Sequence, residues 1–140
     1  MDIQNMKCVM IIDETLPCGL IANTAAIMGL TLGKHIPEVV GKDVIDNDGL
    51  SHLGIIEFPI PILKGYADKI KEIRQTLYSS DFSDIITVDF SDVAQSCKTY
   101  DEFISKIANT PEANLSYLGI ALCGNKKHIN KLTGSMPLLR

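Results

Sequence analysis

The chain has 140 residues and a formal net charge of -4 at pH 7, and 46% of its residues are hydrophobic. This length and apolar content are typical of one compact domain, so we expect a single domain over residues 1–140. The basic residues form no run of the kind that contacts nucleic-acid phosphates, and no apolar segment approaches the roughly 18 residues of a membrane span. Nucleic acid and membrane are therefore disfavoured partners, and we expect a cytoplasmic protein.

The four cysteines are spaced too irregularly for the common metal and redox motifs. No two of them have the C-x-x-C spacing, and three lie in or beside apolar segments. A reduced thiol in such a segment behaves as a small hydrophobic side chain. The pattern therefore predicts neither a disulfide nor a metal site, and we expect no cofactor.

A strand, a polar turn and an apolar helix follow one another at the start of the chain. Residues Lys7–Ile12 run apolar without alternation, which is typical of a strand buried on both faces. Gly19 opens a helix, and the apolar sequence from Leu20 to Leu32 predicts that neighbouring elements cover this helix on most sides. We expect Gly33 to end it.

The middle of the chain predicts small β elements at the margin of a sheet. Asn47-Asp48-Gly49 is a hairpin turn signal, so we expect a protruding β-hairpin within Asp43–His52. Pro59 and Pro61 would share one edge of a strand over Gly54–Leu63, and prolines are tolerated at the edge of a sheet but not in a central strand.

Apolar spacing predicts the remaining elements. They are a short strand at Ile36–Val40, a surface helix at Tyr66–Tyr78, a buried strand at Ile85–Phe90, a helix from the Thr99–Glu102 capping box to Ala108, a strand at Leu115–Cys123 and a short basic helix at Gly124–Lys131. Buried strands joined by helices usually pair in parallel. We therefore predict an α/β fold, a three-layer sandwich with a small mixed, mostly parallel sheet.

Polar residues follow the first strand, where open α/β sheets usually bind ligands. Another set lies at the start of the last helix, where backbone N–H groups attract anions. The candidate ligand-binding residues in these two places are Asp13, Glu14, Gly19, Asn23, Asn125 and Lys126. For Asn23 we favour a structural role as a satisfied helix amide over ligand contact.

Both ends of the chain resemble the type II peptidyl-tRNA hydrolases. Leu118-Gly119-Ile120, followed by residues 129–134 (INKLTG) and Leu138-Leu139, resembles their closing segment of Leu-Ala-Ile, Ile-Asp-Lys-Val-Thr-Gly and Leu-Leu. The Gly19-x-x-Ala22 helix falls where that family has Gly-Lys-x-Ala-Ala-Gln-x-x-His-Ala. The whole chain is similar to an uncharacterised bacterial domain-of-unknown-function family related to that fold. The resemblance implies a peptidyl-tRNA hydrolase II-like fold and, with the proline-bearing edge segment, a homodimer.

The differences from that family change the expected chemistry. Three positions of the family's site are replaced here: Leu20 stands for lysine, Thr24 for glutamine and Ile27 for histidine. The resemblance implies Asp89 or Asp92 as the counterpart of the family's aspartate and Ser116 as that of its threonine. Without the lysine, a developing negative charge loses its stabilising cation. We therefore do not expect hydrolysis of peptidyl-tRNA.

Three functions stay open, and the sequence does not decide whether the chain is an enzyme. We favour binding of a small molecule or peptide in a pocket at the first strand–helix turn, bounded by residues 13–23, Asp89 and residues 125–126. The second hypothesis is a divergent ester or amide hydrolase that uses Asp89 and Ser116. The third is a thiol enzyme with Cys18 as nucleophile near a helix start. Cys18 also has a simpler interpretation as a small residue in a tight turn, which we prefer.

Overall fold

The computed structural model describes residues 2–140, which form five helices, a four-stranded sheet and a separate hairpin. The strands are β1 (Met6–Asp13), β2 (Val44–Ile45), β3 (Ser51–His52), β4 (Ile62–Gly65), β5 (Ile86–Ser91) and β6 (Tyr117–Asn125). The helices are α1 (Cys18–His35), α2 (Ala67–Leu77), α3 (Asp92–Ser96), α4 (Tyr100–Ala108) and α5 (Lys126–Thr133). The main sheet has the strand order β4-β1-β6-β5, and β2 pairs with β3 alone.

The sheet is mixed, as predicted, but the expectation that it is mostly parallel is wrong. β1 pairs in parallel with β4, whereas β6 pairs antiparallel with both β1 and β5. The sequence predicts parallel pairing because helices connect the buried strands. The connection from β5 to β6 contains two helices, α3 and α4, which pack against each other. It therefore leaves and returns at the same edge of the sheet, and β6 runs back along β5.

Helices cover both faces of the sheet, which gives three layers. α1 packs on one face with Cys8, Met10 and Ile12 of β1, and α2 and α5 pack on the other face with Val9 and Ile11. This alternation follows from the two-residue period of a strand. The prediction that the first strand, the strand near residue 85 and the last strand are neighbours in one sheet is confirmed.

Helix α1 is longer and more exposed than its apolar sequence predicted. It continues through Gly33 to His35, so Gly33 does not end it. Thr24 and Met28 are fully buried against the sheet, but Ile27 is 39% exposed. The chain's own sheet therefore covers one side of α1, and the expectation of cover on most sides is wrong.

Two substitutions on neighbouring residues test this orientation of α1. Met28→Asp should lower the free energy of unfolding by several kcal/mol, against a typical total of about 5–15, because it places an unpaired charge in an apolar layer. Ile27→Asp should change it by less than about 1 kcal/mol, because that side chain reaches solvent. Urea unfolding followed by circular dichroism measures both values, and equal losses would contradict the orientation.

The predicted hairpin is confirmed and projects from the domain; we call residues 42–55 the arm. The carboxylate of Asp46 accepts hydrogen bonds from two backbone N–H groups of its turn, at 2.8 and 3.1 Å. Gly49 has a φ of 81°, a conformation that favours glycine. At the base of the arm, a Cβ on Gly54 would lie 1.8 Å from the carbonyl oxygen of Gly41, so only glycine fits there.

Other predicted elements differ in detail. The short strand expected at Ile36–Val40 is instead a 3-10 turn over Pro37–Val39. The proline-bearing strand begins only at Ile62, after both prolines, although it does lie at an edge of the sheet. The predicted cap of α4 is confirmed, since the hydroxyl of Thr99 accepts a hydrogen bond from the backbone N–H of Glu102 at 3.1 Å.

Cys8 and Cys123 form a disulfide, which contradicts the expectation of none. They are direct partners in the β1–β6 ladder, and both side chains are buried. They lie 115 residues apart in the sequence, so their spacing gives no sign of the contact. Cys18 is exposed and free, and Cys97 is half-buried and free.

This pairing predicts how many thiols react. Denatured, unreduced protein should show two thiols by Ellman's assay, from Cys18 and Cys97, and reduced protein should show all four. In the folded protein, alkylation at neutral pH should modify Cys18 before Cys97, because exposure controls access of the reagent. Four thiols before reduction would contradict the disulfide.

Candidate functional site

Three strands of the main sheet end at the same edge, which we call the carboxyl edge. β1 and β4 are parallel, and β5 runs in the same direction because β1 and β5 are both antiparallel to β6. Helices α1, α2 and α3 begin from this edge, and β6 starts there at Tyr117. Ligands of open α/β proteins usually bind at such an edge.

The structure places five of the predicted site residues at the carboxyl edge. They are Asp13, Glu14, Cys18, Gly19 and Ser116. The carboxylate of Asp13 accepts hydrogen bonds from the N–H and the hydroxyl of Thr15, at 3.0 and 2.8 Å, and so shapes the turn after β1. Asn23 lies one helical turn further along α1, where its side chain is exposed.

Asn125 and Lys126 lie at the opposite edge of the sheet. Asn125 pairs with Met6 at the start of β1. Gly119, six residues earlier in β6, pairs with Ile12 near the end of β1. Six strand residues span about 20 Å. The expectation that these two residues line one pocket with Asp13 is therefore wrong, because β6 runs antiparallel to β1. The side chain of Asn125 instead caps α5, accepting a hydrogen bond from the N–H of Lys127 at 2.9 Å.

Asp89 lies within β5, away from the carboxyl edge. Its carboxylate accepts a hydrogen bond from Nε of Arg74 in α2, at 3.0 Å. Asp92 is the acidic residue at the edge, where its carboxylate accepts a hydrogen bond from the N–H of Ser116 at 3.1 Å. Of the two candidate counterparts for the hydrolase aspartate, Asp92 is thus the one beside Ser116.

A polar network lies between α2 and the segment before β6. The hydroxyl of Tyr117 donates a hydrogen bond to the carboxylate of Glu112 at 2.8 Å, and the ammonium of Lys71 donates to the carbonyl of Leu115 at 2.7 Å. Burial, followed by the contact with Glu112, raises the pKa of Tyr117 above its usual range. The same hydrogen bond lowers the pKa of Glu112.

The raised pKa of Tyr117 predicts a specific loss of stability in alkali. The tyrosines of an unfolded chain lose their protons near pH 10, whereas Tyr117 in the folded protein keeps its proton to higher pH. The contribution of the protonated Tyr117 hydroxyl to the free energy of unfolding is therefore complete below about pH 10 and is lost as the pH rises further. Tyr117→Phe should reduce the slope of unfolding free energy against pH in this alkaline range. Tyr100→Phe, at an exposed position, should keep the wild-type slope, and a wild-type slope in both variants would contradict the assignment.

One cavity lies between α1, the outer edge of β5 and α4, and we call it the α1–α4 groove. Its volume is about 460 Å³. Ile27, Phe90 and Phe103 contribute apolar walls, and Lys98 adds a cation. The predicted site residue Asp89 also lines the groove, but its carboxylate pairs with Arg74 of α2. The ring of Phe103 meets that of Tyr100 edge to face, with centroids 5.6 Å apart.

A second cavity, the β1–β4 cleft, lies at the carboxyl edge and has a volume of about 350 Å³. Glu14 is the predicted site residue that lines it. Two ion pairs line this cleft, Lys64 with Glu14 at 3.8 Å and Lys69 with Glu72 at 3.6 Å. These side chains are all at least partly exposed, so water screens the pairs and each contributes little energy.

Local sequence patterns do not reveal the α1–α4 groove. One signal was available in α4, which is strongly amphipathic yet has no fully buried residue. Its apolar face, including Phe103, therefore has no complete cover within the described part of the chain. The groove itself depends on the tertiary contact between α1 and β5, which local periodicity does not predict.

The histidines lie away from Cys18, which is the first residue of α1. His35 is the last residue of the same helix, His52 pairs with Asp46 in the arm, and His128 contacts Asp84. Across residues 2–140, no group of three His, Cys, Asp or Glu side chains is placed to hold a metal ion. Within the same range, no helix is both long enough and apolar enough to cross a bilayer.

Comparisons with known proteins agree with an α/β architecture. A family model described as "Protein of unknown function (DUF2000)" matches residues 6–140. The chain belongs to the DUF2000 family. This DUF2000 chain is similar to the solved structure of Atu0240, a protein of unknown function from Agrobacterium tumefaciens strain C58. The TM-score is 0.85 at 17% identity, and the alignment covers 96% of this chain and 97% of the other.

At that identity, the likeness to Atu0240 shows the fold alone. No curated protein matches this DUF2000 chain. The resemblance to type II peptidyl-tRNA hydrolases therefore stays a prediction from the sequence.

Proposed function

We propose that this DUF2000 chain binds a small organic molecule in the α1–α4 groove. The supporting observation is the size and lining of this open groove: helices α1 and α4 and the outer edge of β5 border a volume of about 460 Å³. Small-molecule sites usually have volumes of about 300–1,000 Å³ and apolar walls with a few polar groups. The β1–β4 cleft is smaller, and four of its nine lining residues are charged.

The wall chemistry favours a ligand with an apolar body and an anionic substituent. Ile27 and Phe103 offer aliphatic and aromatic surface, and Phe90 lines the groove from β5. Lys98 lines the same cavity and would pair with a carboxylate, sulfonate or phosphate. An extended peptide with an apolar side chain and an acidic neighbour would satisfy the same groups.

Binding without hydrolysis fits the residues better than the two enzyme hypotheses. The groove contains Ile27 where the hydrolase family has histidine, and an isoleucine cannot transfer a proton. Ser116 has Asp92 beside it, but no histidine contacts it within residues 2–140. The thiol of Cys18 has no histidine beside it either, because His35 lies at the far end of α1. The cavity beside the first strand–helix turn is the β1–β4 cleft, and Glu14 is the one predicted site residue that lines it.

Two fluorescent naphthalene probes test the groove. 8-Anilinonaphthalene-1-sulfonate carries an anion, and N-phenyl-1-naphthylamine has a similar apolar body without charge. Ile27→Asp should weaken binding of the sulfonate probe at least about tenfold, because it places a negative charge in the wall, and tenfold corresponds to about 1.4 kcal/mol. Lys98→Met should weaken binding of the sulfonate probe but leave binding of the neutral probe unchanged.

Ile104→Asp is the matched control, because Ile104 is an exposed residue of α4 that does not line the groove. It should bind both probes like the wild type. Unchanged binding by Ile27→Asp, or equal weakening by Ile104→Asp, would contradict the proposed site.

A further inference from the structure

The chain covers only one of the two edges of its main sheet with a further extended segment. At the β4 edge, Leu138 forms an antiparallel bridge with Leu63, and the N–H of Lys64 donates a hydrogen bond to the carbonyl of Pro137 at 3.0 Å. At the other edge, β5 pairs with β6, and no segment of residues 2–140 pairs with the outer side of β5. The β4 edge is therefore covered and the β5 edge is open.

The strand registers show which backbone groups of β5 lie on the open edge. The N–H of Met10 donates to the carbonyl just before β4 at 3.0 Å, so the even-numbered residues of β1 pair towards β4 and the odd-numbered ones towards β6. The direct pairs of β6 with its two neighbours carry this alternation across the sheet, and the backbone groups of Val88 and Phe90 point towards β6. The N–H and C=O of Thr87 and Asp89 therefore point outwards, where no other backbone group of residues 2–140 pairs with them.

The open edge of β5 forms one wall of the α1–α4 groove. Val88, Asp89 and Phe90 all line this groove. Exposed edges are often protected by proline or lysine, and β5 contains neither. Its one charged side chain, that of Asp89, pairs with Arg74 of α2 at 3.0 Å. The groove thus offers an outward backbone donor and acceptor, and the carboxylate beside them is already neutralised.

We propose that the ligand of the α1–α4 groove is an extended peptide that adds to β5 as a fifth strand of the sheet, an inference that rests on the proposed function of the groove. In strand addition of this kind, backbone hydrogen bonds supply affinity and alternate side chains supply specificity. The outward N–H and C=O of Asp89 are the donor and acceptor that pair with the peptide backbone. A ligand without a peptide-like backbone would fill the same volume but leave both groups without a partner.

The alternation of a strand determines which peptide side chains enter the groove. Residues directly opposite each other on neighbouring strands have their side chains on the same face of the sheet. The side chains of Val88 and Phe90 pack on the α1 face, so the two peptide residues opposite them place their side chains beside Ile27 and Phe103. The peptide residue between these two points to the other face. The recognised pattern is therefore apolar, any residue, apolar, and Lys98 adds a preference for a nearby carboxylate.

Peptides with methylated backbones test the strand addition. The probe is a library of fluorescein-labelled hexapeptides with Val, Leu or Phe at positions 2 and 4, Asp or Glu at position 5, and Ser or Thr elsewhere. Fluorescence polarisation should find members that bind with a dissociation constant below about 1 mM. Each is then compared with two variants, one N-methylated at position 3 and one N-methylated at positions 2 and 4. Backbone groups alternate in direction, so one variant should bind at least about tenfold more weakly and the other like the parent peptide.

Hydrogen exchange of the protein gives a second readout of the same contact. The bound peptide should slow exchange of the Asp89 N–H, because that group gains an acceptor. The N–H of Lys64 is the control, since it is already bonded to the carbonyl of Pro137 and should exchange as in the free protein. Unchanged exchange of the Asp89 N–H under saturating peptide would overturn the strand addition.

The sulfonate probe separates this inference from the proposed function. A binding peptide should displace 8-anilinonaphthalene-1-sulfonate, because both occupy the groove. If Ile27→Asp weakens binding of the sulfonate probe but no library member binds below about 1 mM, or both methylated variants bind alike, the groove remains a site and the strand addition is wrong. Peptide binding that leaves the sulfonate probe in place would also overturn the strand addition. If Ile27→Asp changes binding of neither the probe nor the peptides, the proposed function fails together with this inference.

Discussion

Helix α1 lies close against the central strand β6 because β6 has glycine where the helix crosses it. A Cβ on Gly119 would lie 2.7 Å from Cγ2 of Thr24 and 3.0 Å from Cε of Met28. Such distances are too short for packed atoms, so a side chain there would push α1 off the sheet. Thr24 can lie in this layer because its hydroxyl donates a hydrogen bond to the carbonyl of Leu20 at 2.8 Å. The α1 wall of the groove depends on this close approach.

The direction of β6 also determines which polar residues can act together. Because β6 is antiparallel to both neighbours, its first residues share an edge with the ends of β1 and β5. Ser116 therefore meets Asp92, and Asn125 is about two nanometres from Asp13. The sequence predicts local features such as the turn after β1, the start of the last helix and the helix cap at Thr99, but not the contact between Ser116 and Asp92. It could not predict strand direction, because a buried strand has the same apolar pattern in either direction.

Local sequence patterns also do not predict which residues pair across neighbouring strands. The disulfide depends on the register that places Cys8 opposite Cys123. The network around Tyr117 depends on an irregularity: Phe90 pairs with Gly119 and Ser91 with Tyr117, so Leu118 is an extra residue in β6. This bulge turns Tyr117 towards Lys71 of α2 and Glu112 of the segment before β6. The exposure of Ile27 was missed for a related reason, because apolar periodicity does not tell whether the same chain or another molecule covers a helix.

The position of β6 has a consequence for folding during synthesis. β5 has no strand partner other than β6 within residues 2–140, and β1 would have only the four residues of β4 beside it without β6. β6 follows the other strands of this sheet in the sequence, so it must insert between β1 and β5, which are made earlier. A nascent chain that ends before Tyr117 would therefore carry two unpaired apolar strand edges, which favour association with other chains. Completion of the domain thus waits for β6, which begins at Tyr117, and a chaperone that shields the edges of β1 and β5 would act before that strand is made.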